Sequence, residues 1–234
     1  VIPKIKKKGS GSSVTDRRVT AQKQDGLYAV FYQPIGGVLS PAKIKELYDL
    51  ISAMEDVEIR LTAEEGLYVI NCTADEAGEV LAHTADGANT LFETSVACVG
   101  NSICQVGIGD SQALLRLCVE AVRKENFADG VLPKIHISGC PSSCAAHQTG
   151  DIGFRGAVKQ TPDGPKPAFA IFVGGCALQG KECIADTGKA IAVTEIPLFL
   201  VELGKMVAAE QTTYDKWIET HRDALNALVE KYTA

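Results

Sequence analysis

Two pairs of cysteines constrain this chain more than any other feature. Cys98 and Cys104 form a C-x5-C pair in TSVACVGNSICQVGIGDS, and Cys140 and Cys144 form a C-x3-C pair in LPKIHISGCPSSCAAHQTGDIGF. Clustered thiols in a chain without the marks of a small secreted protein point to metal rather than to a disulfide framework. A [4Fe–4S] cube takes four thiolates converging from different directions, and glycine beside a ligand lets backbone approach without a side chain intervening. Gly100, Gly107 and Gly139 stand at such places, and Pro141 removes an amide donor and stiffens the second loop. Structural zinc is the rival, although zinc knuckles use C-x2-4-C and the gap of the first pair is wider. Unrelated buried thiols are the third reading. Cys72, Cys118, Cys176 and Cys183 stand singly among apolar or helix-forming neighbours and read as buried structural thiols. No pair has the C-x-x-C spacing of a redox dithiol.

The 234 residues, 46% of them hydrophobic, suffice for one large domain or two small ones. No apolar run reaches membrane-spanning length and no signal peptide opens the chain, so the expectation is a cytoplasmic protein without a membrane partner. Residues 1 to 23 carry seven lysines and arginines against Asp16 alone, so a basic arm, 1–20, precedes an acidic body. An acidic body repels nucleic acid, which excludes that class of partner. The arm reads as a flexible linker, in keeping with GSGSS at 9–13, or as a strap over an anionic cofactor or an acidic partner. With Val1 at its start, the chain reads as the second part of something longer.

Hydrophobic periodicity places a strand at Leu27 to Gln33, a helix over 41–54 capped by Ser40, strands over 57–61 and 67–72, and a helix over 75–83. This β-α-β-β-α order predicts a ferredoxin-like half domain, 21–87. A second domain, 88–234, starts where the texture turns glycine-rich. Its expected elements are a helix from Asp110 or Ser111 to about Glu125 and strands over 134–138, 152–154 and 168–173. Helices over 182–191, 195–209 and 214–232 complete it. The fold class is α+β. Lys134 and His136 alternate on the strand leading into Cys140 and share a face. His147 reads as an ordinary loop histidine or as a donor near the cluster.

ACVGNSIC, ISGCPSSC followed by HQTGDIGFRG, and IFVGG resemble the second half of the siroheme-containing nitrite and sulfite reductases. The stretch from AQKQDGLYAVFYQPIGG to EIRLTAEEGLYVINC is similar to the ferredoxin-like half domain of the same family. The resemblance implies an α/β cluster-binding domain after that half domain. It implies that Cys98, Cys104, Cys140 and Cys144 hold a [4Fe–4S] cluster, and that Cys144 bridges to the siroheme iron. It further implies six-electron reduction of sulfite or nitrite, a small anion substrate, and a ferredoxin or reductase subunit as electron donor. Arg60, Asn101 and Arg155 are the cofactor-binding candidates, and Lys134 and His136 the candidates for substrate contact or proton supply. Where the substrate half of the family carries a second arginine after RLT, this chain has Glu64 and Glu65. Family members pair two copies of this unit around siroheme. A second reductase half is therefore expected, as a separate subunit, a missing N-terminal half or a homodimer mate.

Overall fold

The computed structural model describes residues 5–63 and 65–234. Two compact units divide between Asn89 and Thr90. The first contains β1 (Val19–Ala21), β2 (Tyr28–Tyr32), α1 (Pro41–Ile51), β3 (Glu58–Leu61), β4 (Leu67–Cys72) and α2 (Ala74–His83). Its sheet is antiparallel throughout, in the order β1-β2-β4-β3. The side chain of Ser40 accepts the Lys43 amide at 3.1 Å, and Pro41 begins α1. Thr73 and Glu76 close a reciprocal capping box on α2. Leu47, Ala77 and Val80 then pack on Val30, Tyr32, Leu67 and Val69, each larger side chain contributing about 1.5–3 kcal/mol by leaving water.

The basic arm is not a free linker over its described part. Arg18 is buried, and its guanidinium donates to the Thr84 carbonyl at 2.8 Å, the Thr84 hydroxyl at 3.0 Å and the Leu81 carbonyl at 3.1 Å. These acceptors lie at the C-terminal end of α2, where carbonyls lack helical partners and a cation is favourable. Lys7, its side chain 5% exposed, pairs with Glu76 at 2.5 Å and donates to the Glu55 carbonyl at 2.7 Å. Val14 and Val19 pack on the core of the same unit. The arm is thus a strap on the half domain, while Lys4 and the three residues before it lie outside the described residues.

The second unit contains β5 (Val96–Ala97), α3 (Ser111–Arg123), β6 (Ile135–Ser138), β7 (Ile152–Thr161), β8 (Gly164–Val173), β9 (Asp186–Ala192), α4 (Ile196–Ala209), α5 (Tyr214–Ile218) and α6 (Arg222–Thr233). Its sheet runs β5-β6-β7-β8-β9, with β5, β6 and β7 parallel and β7, β8 and β9 antiparallel. Leu114, Leu115 and Cys118 of α3 and Phe199, Leu200 and Leu203 of α4 are fully buried. Among the described residues no helix is long and apolar enough to cross a membrane.

Three expectations are corrected in this unit. The stretch 182–191 is not a helix: β9 pairs with β8, and Gly188, poor in a helix interior, lets the strand approach Ile171 and Val229. The stretch 214–232 is two helices, because the backbone departs from helical geometry at His221 (φ −119°, ψ 26°), whose ring stacks on Trp217 at 4.8 Å between centroids. Strands expected over 152–154 and 168–173 extend into a ten-residue hairpin arm on each side.

Candidate functional site

The cysteine pairs emerge from neighbouring strands of the parallel edge. Cys98 follows β5 and Cys140 follows β6, with Gly139 between the strand and the ligand candidate. Parallel strands send their carboxyl ends to one side of a sheet, and the crevice there is where open α/β sheets gather ligands. The Cys98 amide donates to the Ile137 carbonyl at 3.0 Å, extending the β5–β6 pairing to the first cysteine itself. Across the junction the Gly139 amide donates to Cys98 Sγ at 3.1 Å. The amides of Ile108 and Gly109 return to the Gly139 carbonyl at 2.8 and 2.9 Å, so the first loop is stitched to the second at both ends.

Glycine is required where these strands and loops meet. A Cβ on Gly139 would stand 2.7 Å from the Gly109 carbonyl oxygen, and one on Gly156 of β7 would overlap the Gly139 carbonyl. Within the first loop the Cys104 amide donates to the Gly100 carbonyl at 2.8 Å. The Asn101 side chain donates to the Ile108 carbonyl at 3.1 Å, so this cofactor candidate closes its own loop. Ser111, the first residue of α3, donates its hydroxyl to the Cys98 carbonyl at 2.8 Å and lies 3.2 Å from Cys98 Sγ, which fixes the cysteine against the start of the helix. Hydrogen bonding from the Ser142 hydroxyl and amide holds the Cys140 thiol below its ordinary pKa. That shift favours thiolate at Cys140, the form that binds metal.

The four cysteines differ in access: Cys140 is buried, Cys98 and Cys104 are half-buried, and Cys144 is exposed. Among the described residues no group of three or more Cys, His, Asp or Glu side chains is close enough to hold a metal ion. One zinc ion needs its sulfurs within a single tetrahedron, whereas the ligands of a cube are spread over four irons. The donor chemistry and the N–H to sulfur bond suit a cluster. By contrast Cys72 and Cys118 are fully buried, and burial pushes the Cys72 thiol up to about 12 and the Cys118 thiol further. They are inert packing residues. Cys176 and Cys183 are not buried thiols: one is half-buried, the other exposed.

The remaining candidates scatter. Lys134 precedes β6 and His136 lies within it, both half-buried between buried neighbours, as alternation requires. The His136 ring donates from Nδ1 to the Ala145 carbonyl at 2.8 Å, which ties β6 to the residue after Cys144. Arg155 of β7 sits over the Phe172 ring, 5.4 Å from its centroid. Arg60 is in the first unit, on β3, where it pairs with Glu58. Glu65 has a left-handed backbone, and Glu64 lies outside the described residues. His147 is no ordinary loop histidine. It is fully buried, neither ring nitrogen has a hydrogen-bond partner, and its ring meets the Phe172 edge at 4.6 Å. Burial, with Arg155 and His136 nearby, depresses its pKa to about 4. Ser111, expected only as a possible start of its helix, also contacts Cys98, and its one signal in the sequence is its place directly after the glycine-rich loop. Val99, Ile103, Val106 and Ile108 leave the first cysteine loop with an exposed apolar surface.

The model of the nitrite and sulphite reductase 4Fe-4S domain matches residues 90–223, and that of the nitrite/sulfite reductase ferredoxin-like half domain matches residues 20–86. The chain is 32% identical over 166 residues to the chloroplastic ferredoxin-nitrite reductase of Zea mays, covering 67% of this chain and 29% of that protein. It is 26% identical over 162 residues to sulfite reductase [ferredoxin] 1 of Mycolicibacterium paratuberculosis, covering 65% and 29%. The chain therefore spans less than a third of the length of these relatives. Among solved structures, the NirA protein of Mycobacterium tuberculosis superposes with a TM-score of 0.64 at 22% identity, over 82% of this chain and 37% of that one.

Proposed function

The chain belongs to the nitrite and sulphite reductase family, and on that premise we propose that it is the cluster-bearing part of a siroheme-dependent reductase. The reaction is the six-electron reduction of sulfite to sulfide or of nitrite to ammonia. The observation that carries this reading is the stitched junction of Cys98 and Gly139, which sets both cysteine loops at the carboxyl ends of adjacent parallel strands. Cys98, Cys104, Cys140 and Cys144 are the proposed ligands. When bound, a [4Fe–4S] cluster supplies stored electrons and siroheme supplies the iron that receives the anion. The residues of this chain hold and tune that assembly. Ser142 holds the Cys140 thiol toward thiolate, Ser111 and the Gly139 amide position Cys98, and exposed Cys144 is the sulfur that a second group can reach, in keeping with a bridging role. Arg155 and Lys134 are the proposed cations for siroheme carboxylates and substrate. His136 orients the residue after Cys144.

The relatives named as ferredoxin-dependent support a ferredoxin as donor, and the short span against those relatives supports a second reductase half as partner. The exposed apolar residues of the first loop suit such a partner. Purification without air followed by a visible spectrum and iron and sulfide analysis tests the assignment. Macrocycle bands over a broad reducible absorption are expected, and colourless protein with one zinc and no iron refutes it. Cys140→Ser is expected to abolish iron binding, whereas Cys118→Ser leaves it intact. Cys144→Ser should end turnover, and full activity in that variant would remove the bridge. A second reading, an iron–sulfur electron carrier without siroheme, is favoured by the engagement of Arg60 with Glu58 and of Asn101 within its own loop. A cluster spectrum without macrocycle bands in the presence of the partner half selects it.

A further inference from the structure

The two cysteines outside both the core and the proposed cluster site face one another. The Cys176 amide donates to the Cys183 carbonyl and the Cys183 amide to the Cys176 carbonyl, each at 3.0 Å, in an isolated antiparallel bridge. Reciprocal bonds of this kind define a directly opposed pair, with Cα atoms about 5.5 Å apart and both side chains on one side of the ribbon. That Cα separation lies inside the range a disulfide spans, and the Cβ atoms of a hydrogen-bonded pair need to close by only about 1 Å, together with rotation of Cys183 Sγ off the Gly174 carbonyl, for the sulfurs to meet. The loop between them is already folded back. The Lys181 amide donates to the Leu178 carbonyl at 2.9 Å, and the Gly180 amide to the Glu182 carboxylate at 2.9 Å. Cys183 is exposed, and its Sγ rests on the Gly174 carbonyl at 3.3 Å. Among the described residues no third Cys, His, Asp or Glu joins the pair as a metal ligand, so its available chemistry is that of a dithiol.

The position of the pair gives that chemistry a consequence. Before it, the amides of Gly174 and Gly175 donate to the carbonyls of Asp151 and Gly150 at 2.8 and 3.1 Å. After it, the Ala185 amide donates to the Gln148 carbonyl at 2.8 Å. Both stems of the loop are therefore clamped to residues 148–151, which directly follow His147 and begin four residues after Cys144.

We propose that Cys176 and Cys183 form a reversible intramolecular disulfide, by exchange with a low-molecular-weight disulfide of the glutathione class, and that this bond locks the clamp on residues 148–151. Cys183, the exposed thiol, attacks one sulfur of the small disulfide as thiolate and releases one small thiolate, leaving a mixed disulfide. Cys176 as thiolate then attacks Cys183 Sγ and releases the second. Two protein thiols are oxidised, one small disulfide is reduced to two thiols, and the two protons go to the departing thiolates. A reducing thiol pool reverses both steps.

Lys181 lies between the cysteines, so trypsin places them on separate peptides unless a disulfide joins them. The full chain, purified without air, is equilibrated in glutathione buffers of increasing oxidised fraction, alkylated, unfolded and digested. The expected result is a linked pair carrying Cys176 and Cys183 that grows with oxidised glutathione and disappears with dithiothreitol. Cys176→Ser should instead accumulate a glutathione adduct on Cys183, and amide exchange at Gly174, Gly175 and Ala185 should slow on oxidation of the wild type but not of this variant. Both thiols alkylated in every buffer, a wild-type adduct on Cys183 that never resolves, or linkage of either residue to another cysteine would overturn the proposal. These readouts do not depend on bound iron, so failure of the cluster assignment and failure of the dithiol remain distinguishable.

Discussion

The two sheets place their loops differently, and the difference explains where chemistry can collect. In the antiparallel sheet of the first unit, neighbouring strands end on opposite sides, so its connections alternate and no crevice gathers them. Several of its charged groups find partners within the unit, as Arg18 does with Thr84, Lys7 with Glu76, and Arg60 with Glu58. In the second unit β5, β6 and β7 run parallel, so the chain leaves β5 and β6 on the same side, and β7 continues past them as a wall. Thiols and glycines fill that junction. The antiparallel unit is a scaffold closed on itself, and the parallel edge is a place built to be approached.

The most direct way to break this contrast is Gly156→Ala. The added Cβ would fall on the Gly139 carbonyl and within 2.7 Å of the Gly109 amide nitrogen, all backbone atoms that cannot swing away. A loss of about 3 kcal/mol is expected from overpacking, read by urea unfolding with a probe in the second unit such as Trp217 fluorescence. Iron retention should fall with it. Unchanged stability would mean that the close approach of β7 to the cysteine loops is not required.

Arg18→Ala probes the closed scaffold. Removing the guanidinium takes a charged donor from the Thr84 and Leu81 carbonyls at the end of α2, which keep the Gly87 amide at 3.2 Å and the Thr84 hydroxyl at 3.5 Å, at a cost of about 2 kcal/mol. Only the first unit should lose stability, followed by hydrogen exchange across β2 and β4. A neutral result would restore the arm to the status of a loose linker.

Legibility follows the same division. In the first unit, local signals agree with the tertiary result: Ser40-Pro41 and the Thr73/Glu76 box start helices, and the strand of Leu67, Val69 and Cys72 buries its inner face. Only the arm misled, because linker composition around Gly9 to Ser13 hid the anchors Lys7 and Arg18 on either side. The cysteine loops were legible as a constellation, since spacing and glycine survive translation into sequence. What sequence could not weigh was pairing between distant segments. Residues 186–192 have alanines and lysine compatible with a helix, yet the ladder to β8 decides the outcome. The Cys176 and Cys183 pair was missed for that reason, because only a hairpin makes residues seven apart directly opposed.

His147 sharpens the comparison through pH. In the unfolded chain it titrates near its ordinary value of about 6.5, and in the fold burial lowers it to about 4. The folded state thus binds fewer protons, so stability is full above about 6.5 and is lost as pH falls through the window toward 4. A loss of up to about 3 kcal/mol across that window is expected, and His147→Phe should flatten it. An unchanged slope in that variant would place the acid sensitivity elsewhere.

The smallest expected effect comes from a glycine that does nothing of the kind Gly156 does. Gly78 is exposed on α2, its backbone is helical, and a Cβ there would meet nothing within 4 Å. Gly78→Ala should therefore stabilise the first unit by about 0.5–1 kcal/mol through helix propensity alone, detectable as a raised unfolding midpoint. The opposite signs expected at positions 78 and 156 rest on one difference: open space around a helix face against backbone in contact at a parallel edge. Destabilisation by both changes would mean that α2 also accepts a close neighbour, and the description of the first unit as closed on itself would then have to give way.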